Sequence, residues 1–203
     1  MVAMSSHGRS RITRLLMGSV TDKVLHHIKN PMLIFREHRD GDPEPDTKLE
    51  TIIVPLDGSP LAESVLPHVT ALAKALDLKV TLVRAASTAE HFIAATGFHQ
   101  IDGVSGLQFK NFETMSQAAG NQASEYITEQ ENSLRRQKIA SVDHKIVPGS
   151  AGNVIVDLAL DTPDNQVAVT THGHSGPGRW ALGSVTDRFV RHSGEPVLVI
   201  KTG

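Results

Sequence analysis

Residues 167–173 read Val-Ala-Val-Thr-Thr-His-Gly, and after nine further residues the chain continues with Gly-Ser-Val-Thr-Asp at 183–187. Nearly the same pattern occurs earlier, as Val-Ala-Met-Ser-Ser-His-Gly at 2–8 and Gly-Ser-Val-Thr-Asp at 18–22. The offset between the copies is a constant 165 residues, and it continues without a gap into the apolar run that follows each copy. A repeat that keeps its glycines, its serine and its spacing indicates a duplicated structural element with a site built from backbone.

The composition excludes several classes of protein. Of the 203 residues, 39% are hydrophobic and 21% are charged, as in globular proteins, so a packed core is expected and wholesale disorder is not. The net charge of -2 gives no field that would attract nucleic acid or an acidic membrane. The chain has no cysteine, which excludes disulfides and thiol catalysis, and no apolar run near the ~18 residues of a membrane span. We expect a cytoplasmic location by default, because the N-terminal sequence is unlike a secretory signal.

The first copy of the repeat predicts a strand, a glycine-bearing loop, a helix and a second strand within residues 1–36. The strands are expected at 2–4 and 32–35, and apolar residues at helical spacing between them predict the helix. Residues 37–49 are polar, contain two prolines and show no apolar periodicity, which indicates a linker. We therefore expect three parts: a partial copy at 1–36, a linker at 37–49 and a complete domain at 50–203.

Strands and helices alternate along the complete domain. Strands are expected at 51–56, 80–83, 142–147, 167–171 and 197–200, and helices at 61–76, 115–136, 154–160 and 184–191. This alternation predicts an α/β fold, with a parallel sheet covered on both faces by helices. We interpret residues 86–113, which lack a regular pattern, as a long loop or a lid. Ligands of such sheets bind beyond the carboxyl ends of the strands.

The second copy of the repeat has small residues at both ends of a loop between a strand and a helix. The free amides and positive dipole end of a helix starting near Ser184 would form an anion site, and the Ser184 hydroxyl could donate one more hydrogen bond. Phosphate is the expected anion. The alternative is a helix cap alone, with Ser184 as the N-cap and Asp187 three positions on. For one copy taken by itself, the two interpretations are equally supported.

Two further positions lie at the same predicted edge of the sheet. Asp57 follows the first strand of the complete domain, where it could accept hydrogen bonds from an adenine amino group or a ribose hydroxyl; the alternative is an ordinary Asp57-Gly58 turn. Ala85, at the end of the second strand, would give a base pocket a small wall and a backbone contact. The chain has 11 histidines, but their spacings predict no metal site. His7 and His172 recur at equivalent positions, either as loop residues bonded to backbone or as a catalytic base.

Together, these residues resemble the universal stress protein family. The resemblance rests on the glycine and serine pattern of 167–187, on Ile-Val-Pro-Leu-Asp-Gly-Ser at 53–59, and on Pro-Val-Leu-Val-Ile at 196–200. It covers 51–201 in full and 2–36 as the C-terminal third of a domain. The chain thus resembles a tandem member in which most of the first domain is missing.

The resemblance implies a Rossmann-like, five-stranded parallel sheet of order 3-2-1-4-5 and, as in many members, an ATP site with the motif Gly-x-x-Gly, nine residues, Gly-Ser or Gly-Thr. Transferred to this chain, it implies these cofactor-binding residues: Pro55, Asp57, Ala85, Val169, Thr170, Gly173, Gly183, Ser184 and Val185. Thr170 stands where the motif has its first glycine, a departure that favours weaker binding. The nucleotide would carry its own Mg²⁺ or Mn²⁺, and no metal site or catalytic residue of the protein is implied.

The function implied is adenine-nucleotide binding in stress response or signalling, without dedicated catalysis. One alternative is a dimerisation or scaffold domain without nucleotide affinity, which Thr170 favours. Another is slow ATP hydrolysis, with Asp57 or His172 as the base. Because members commonly dimerise through their last strands, the resemblance also implies a homodimer or an intrachain pairing of Met32–Phe35 with Val197–Ile200.

Overall fold

The computed structural model describes residues 1–5, 19–35, 48–86, 106–171, 184–192 and 195–201. Strands and helices alternate along them, as the apolar periodicity predicts. The strands are β1 (Val2–Ser5), β2 (Met32–Phe35), β3 (Thr51–Pro55), β4 (Lys79–Ala86), β5 (Val142–Pro148), β6 (Asn165–Thr170) and β7 (Val197–Ile200). The helices are α1 (Ser19–His27), α2 (Pro60–Glu63), α3 (Leu66–Leu76), α4 (Gly106–Arg136), α5 (Ala151–Asp161) and α6 (Ser184–His192).

The seven strands form one sheet in the order β1-β2-β7-β6-β3-β4-β5. Counted within residues 51–200, the order is 3-2-1-4-5 with all neighbours parallel, which confirms the predicted α/β fold. The sheet has seven strands rather than five because β2 pairs with β7 at its edge and β1 pairs with β2. β3, β6 and β7 are buried along almost their whole length, as expected of strands with helices on both faces.

The two copies of the sequence repeat fold alike. α1 and α6 each have nine residues and start 165 residues apart, as do the four-residue strands β2 and β7. In each copy a buried threonine donates a hydrogen bond from its Oγ1 to the last carbonyl of the preceding strand. Thr21 donates to Ser5 at 2.9 Å, and Thr186 donates to Thr170 at 2.8 Å. This bond ties the first turn of each helix to the carboxyl end of the strand before it.

The copies meet at an antiparallel junction between β2 and β7, which is the intrachain pairing expected from the sequence. The register consists of three pairs: Met32 with Val199, Leu33 with Leu198, and Ile34 with Val197. Leu33 therefore pairs with its own repeat equivalent, Leu198. The two flanking pairs are equivalent to each other, because Met32 corresponds to Val197 and Ile34 corresponds to Val199 in the repeat. The junction has the register of a twofold symmetric contact, although it lies within one chain.

The sheet separates two hydrophobic clusters. On one face, α2, α3 and α4 pack on alternate residues of β3, β4, β6 and β7, and Val65, Val69 and Ile127 are fully buried there. We call this the α3 face. On the other, the α6 face, α1, α5 and α6 pack on the remaining residues of these strands and on β2, with Phe189 fully buried. The N-terminal segment thus has a helix on the α6 face.

Two predicted elements differ from the structure by more than a few residues at an end. The helix expected at 61–76 is two helices, α2 and α3, because Pro67 has no N–H to donate to the Glu63 carbonyl and its ring would clash with that carbonyl. α4 begins at Gly106, so the interpretation of 86–113 as a loop or lid is wrong for its last eight residues. Residues 87–105, residue 36 and residues 37–47 of the expected linker lie outside the described residues.

Candidate functional site

The pairing between β3 and β6 ends early at the carboxyl edge of the sheet, and we call the position between the two strand ends the crevice. The ladder between these strands ends at Ile53 and Val167, although β3 continues to Pro55 and β6 continues to Thr170. On its other side, β3 stays paired with β4 as far as Pro55. Pro55 has no N–H with which to continue the ladder towards β6. Chain order also reverses between β3 and β6, which is where ligands of such sheets usually bind.

Asp57 follows β3 at the rim of this crevice. Its Oδ1 accepts hydrogen bonds from the Ser59 amide at 2.9 Å and from Ser59 Oγ at 2.6 Å. Ser59 Oγ accepts a bond from the Ala62 amide at 3.1 Å and so caps α2. Gly58 has a φ of +82°, a conformation that favours glycine. Asp57 therefore forms the turn of the alternative interpretation, and a carboxylate with about four acceptor positions can also bind a ligand.

Arg84 belongs to the same neighbourhood, although the sequence analysis did not single it out. From β4, its Nη1 donates a hydrogen bond to the Leu56 carbonyl at 3.2 Å and lies 3.7 Å from the position that a Cβ would take on Gly58. Its Nε is buried and makes no hydrogen bond within the described part of the chain. The positively charged side chain of Arg84 therefore contacts the residues on both sides of Asp57. The available signal was a charged residue directly after the apolar strand run at 80–83.

Helix α4 contributes Tyr126 near this turn. Its hydroxyl donates a hydrogen bond to Glu63 Oε1 at 2.9 Å, which ties α4 to α2. Burial raises the pKa of Tyr126 above its ordinary value of 10.0, and the hydrogen bond to Glu63 raises it further, while the charge of Arg84 opposes both effects. Tyr126 therefore remains protonated, and a hydrogen-bond donor, at neutral pH.

Ala85 is the last residue but one of β4, and Thr170 is the last residue of β6; these are the strands on either side of β3. The ladder between β3 and β4 stops at Val83, whereas β4 remains paired with β5 through Ala85, so the Ala85 backbone extends past the end of β3. Thr170 ends β6 with its side chain buried, and Val169 is buried in the cluster of the α6 face. The predicted site residues of β4 and β6 thus lie at one edge of the sheet with Pro55.

Helix α6 starts beside the end of β6. It begins at Ser184, so Ser184 is the first residue of the helix, whereas the cap interpretation places Ser184 just before it. The first amides of a helix have no partner within it. The bond from Thr186 to the Thr170 carbonyl holds this turn against β6, so Thr186 is a second site residue that the sequence analysis missed. Its signal was the Gly-Ser-Val-Thr sequence common to both copies. Val185 is half-buried at the same turn.

Some predicted positions lie outside the described residues: Gly173, Gly183 and His172, and the side chain of Ser184. In the described ranges, no group of three histidine, aspartate or glutamate side chains is arranged to hold a metal ion. No helix in those ranges is long and apolar enough to cross a membrane. The described residues bring together the turn that contains Asp57, the side chain of Arg84, the ends of β3 and β6, and the start of α6.

The comparison with known proteins identifies one family for this chain. The model of the universal stress protein family matches residues 1–36 and 48–201. A universal stress protein of Methanocaldococcus jannaschii is 29% identical over 154 residues, which cover 74% of this chain and 93% of that protein.

Solved structures of universal stress proteins have the same fold. UspA from Lactobacillus plantarum superposes with a TM-score of 0.62 at 18% identity and covers 75% of this chain and 98% of its own. A universal stress protein from Archaeoglobus fulgidus gives a TM-score of 0.66 at 20% identity, over 99% of this chain but 62% of its own. The family match includes both copies of the repeat, and this chain belongs to the universal stress protein family.

Proposed function

We propose that this protein binds an adenine nucleotide, with ATP as the leading candidate, in the crevice between β3 and β6. The main support for the proposal is the early end of the β3–β6 ladder. Because of it, the ends of β3 and β6 are not paired with each other, and they lie next to the start of α6. A base or ribose fits beside strand ends, where backbone groups and one carboxylate are available. A phosphate chain fits at a helix start, where free amides meet the positive end of the dipole.

Each residue has a distinct role in this proposal. Asp57 accepts hydrogen bonds from the ribose or base, and the backbone of Ala85 contacts the base edge. Pro55 and Val169 line the base pocket. The phosphates lie at the start of α6, where they would accept hydrogen bonds from the amides of Ser184 and Val185. Gly173 and Gly183 belong to the loop that would surround the phosphates, and the nucleotide carries its own Mg²⁺ or Mn²⁺.

The proposed protein is a binding module of stress response or signalling in the cytoplasm, without dedicated catalysis. One site per chain is expected, because residues 1–36 keep a copy of the phosphate loop but lack counterparts of Asp57 and Ala85. The competing function is a scaffold without nucleotide affinity. Two observations favour that alternative: Thr170 replaces a motif glycine, and Asp57 Oδ1 already accepts two hydrogen bonds.

Calorimetry with ATP tests the proposal. The unmodified chain should bind one ATP per chain, and nucleotide released by heating the purified protein should be an adenine nucleotide. Asp57→Ala should lower the affinity at least about tenfold, since it removes the ribose or base acceptor, and tenfold corresponds to about 1.4 kcal/mol. Asp157→Ala is the matched control, because Asp157 is an exposed aspartate on α5.

An empty protein that shows no heat of binding and no thermal shift at millimolar ATP would assign the chain to the scaffold alternative. If Asp57→Ala and Asp157→Ala lost ATP affinity equally, the result would contradict the proposal that ATP binds in the crevice. Phosphate release that disappears in Asp57→Ala would indicate hydrolysis and contradict the absence of dedicated catalysis.

A further inference from the structure

Arg84 holds the chain at the point where β3 ends and the Asp57 turn (residues 56–59) begins. The register between β3 and β4 stops at the last residue of β3. One residue later, the Leu56 amide donates a hydrogen bond to the Val83 carbonyl at 2.9 Å, and the Leu56 carbonyl accepts the bond from Arg84 Nη1 at 3.2 Å. Both backbone groups of Leu56 are therefore bonded to β4. The side chain of Arg84 attaches the Asp57 turn to this strand.

The guanidinium group also packs against Gly58 within the turn. Nη1 and Nη2 lie 3.7 Å and 4.0 Å from the position that a Cβ would take on Gly58, which are ordinary van der Waals distances. Glycine adopts many conformations, so a turn through Gly58 is ordered by the contacts made to it from outside. Ser59 holds the Asp57 carboxylate to the turn, and Arg84 holds the turn to β4. The position of the carboxylate relative to the sheet edge therefore depends on Arg84.

Arg84 is not the side chain that stability alone favours at this position. Val80 and Leu82, which alternate with it along β4, are apolar and fully buried in the cluster of the α3 face. Arg84 is half-buried, and its Nε is buried without a hydrogen bond in the described part of the chain. A buried donor without a partner is costly, and an apolar side chain would avoid that cost. The guanidinium group therefore needs an explanation other than packing.

The charge of Arg84 acts on the other polar groups around the turn. Arg84 and Asp57 both act electrostatically on the Tyr126 hydroxyl, which donates its hydrogen bond to Glu63. Of these four side chains, Arg84 is the one cation. It offsets the negative charge of Asp57, and such an offset is favourable where the bound molecule is itself an anion.

We propose that Arg84 is a positioning residue of the nucleotide site: it fixes the Asp57 turn, so that the Asp57 carboxylate is in place before the ribose or base binds. This inference rests on the proposed nucleotide binding. Arg84 acts through Asp57 and does not itself contact the nucleotide. Such preorganisation raises affinity, because the free-energy cost of ordering the turn is then not part of binding.

Calorimetry with ATP and with adenosine, on variants of the 203-residue chain, tests this role. Arg84→Met should weaken the binding of both ligands by the same factor, at least about threefold, because both need the Asp57 carboxylate in place. Arg84→Lys keeps the charge but loses the planar fork of donors, so its affinities should lie between those of Arg84→Met and the unmodified chain. A direct contact from Arg84 to the phosphates would instead weaken ATP binding and leave adenosine binding unchanged.

A double variant separates positioning from a general structural role. If Arg84 acts through Asp57, then adding Arg84→Met to Asp57→Ala should weaken the binding of neither ligand further. Arg136→Met is the matched control, since Arg136 is an exposed arginine on α4. It should bind both ligands as the unmodified chain does.

The outcomes distinguish this inference from the proposed function. An unmodified chain that binds neither ATP nor adenosine would overturn both. ATP binding that Asp57→Ala weakens and both Arg84 variants leave unchanged would overturn the role of Arg84 alone. An equal further loss when Arg84→Met is added to Asp57→Ala, or a loss restricted to ATP, would also overturn it.

Discussion

Thr21 and Thr186 show how one residue joins a helix to a strand. Each threonine is buried at 3% exposure and donates a hydrogen bond to the last carbonyl of the strand that precedes its helix. The loop between strand and helix is long enough to allow many orientations of the helix. The hydroxyl selects one of them, because a buried carbonyl without a donor is costly. In the second copy, the orientation of α6 determines where its free amides point.

Replacing each threonine by valine distinguishes an effect on protein stability from an effect on ATP binding. Thr21→Val and Thr186→Val should each lower the free energy of unfolding by about 1–3 kcal/mol, since each leaves a strand-end carbonyl without its donor. Thr186→Val should also weaken ATP binding, because the start of α6 is then less firmly held, while Thr21→Val should not. Urea denaturation and calorimetry measure the two effects. A loss of ATP affinity in Thr21→Val as large as in Thr186→Val would contradict the separate roles of the two copies.

At the level of single residues, the sequence predicted positions better than contacts. Asp57 and Ala85 follow strands, so their place at the sheet edge could be inferred from strand ends alone. Arg84 could not be assigned to the Asp57 turn, because its contact with Leu56 joins residues 28 positions apart and depends on the pairing of β3 with β4. The hydrogen bonds from Ser59 to Asp57 span only two residues, and they belong to the Asp57-Gly58 turn that was one of the two interpretations.

Among the elements, the junction of β2 and β7 determines how the two segments join. Its central pair, Leu33 and Leu198, consists of repeat equivalents, so the edge of β7 is complementary to a copy of itself. β2 covers that edge, and Val197, Val199 and Met32 are almost fully buried at the junction. A strand edge of this kind, once uncovered, can pair with the same edge of another molecule.

A version of the protein that starts at Asp46 tests this property of the junction. Without β2, the β7 edge should pair with β7 of a second molecule about Leu198, and the protein should become a dimer. Light scattering after size exclusion gives the mass of the shortened protein and of the full chain. A shortened protein that stays monomeric and melts at the temperature of the full chain would show that β2 contributes nothing to β7.

The identity of the elements was predictable, but some of their boundaries were not. Strand and helix types follow from apolar periodicity, and Met32–Phe35 and Val197–Ile200 have their predicted bounds. The split between α2 and α3 was missed, although it could have been predicted, because the effect of Pro67 on a helix interior is local. The early start of α4 at Gly106 was missed because residues 106–114 have few apolar positions at helical spacing.

On the scale of the whole molecule, the half-buried Glu131 and Glu195 respond to pH in opposite directions. Burial alone would raise the pKa of Glu131, but hydrogen bonds from His144 and Arg135 outweigh it and hold the pKa below the ordinary 4.5. These contacts join α4 to β5 at one edge of the sheet. At the amino ends of the strands, burial raises the pKa of Glu195 above 4.5, and the negative charge of Asp164 raises it further.

The glutamine variants of these residues should change stability with opposite signs. Because the folded-state pKa of Glu131 is lowered, its stabilisation is present above pH 4.5 and is lost as pH falls, so Glu131→Gln should lower the melting temperature at pH 7. The pKa of Glu195 is raised, so its stabilising contribution is present below pH 4.5 and is lost as pH rises through the folded-state pKa. Glu195→Gln should therefore raise the melting temperature at pH 7. Calorimetry between pH 4 and pH 8 measures both, and a shift of the same sign in the two variants at pH 7 would contradict the assignment.

The sequence by itself determined the repeat, the types of the elements and the α/β class, because these depend on spacing and periodicity within short stretches of chain. By resemblance, it also indicated the strand order and the pairing of β2 with β7. The tertiary structure alone decided where the β3–β6 ladder ends and which charged side chain contacts the Asp57 turn. These properties depend on contacts between residues far apart in the chain.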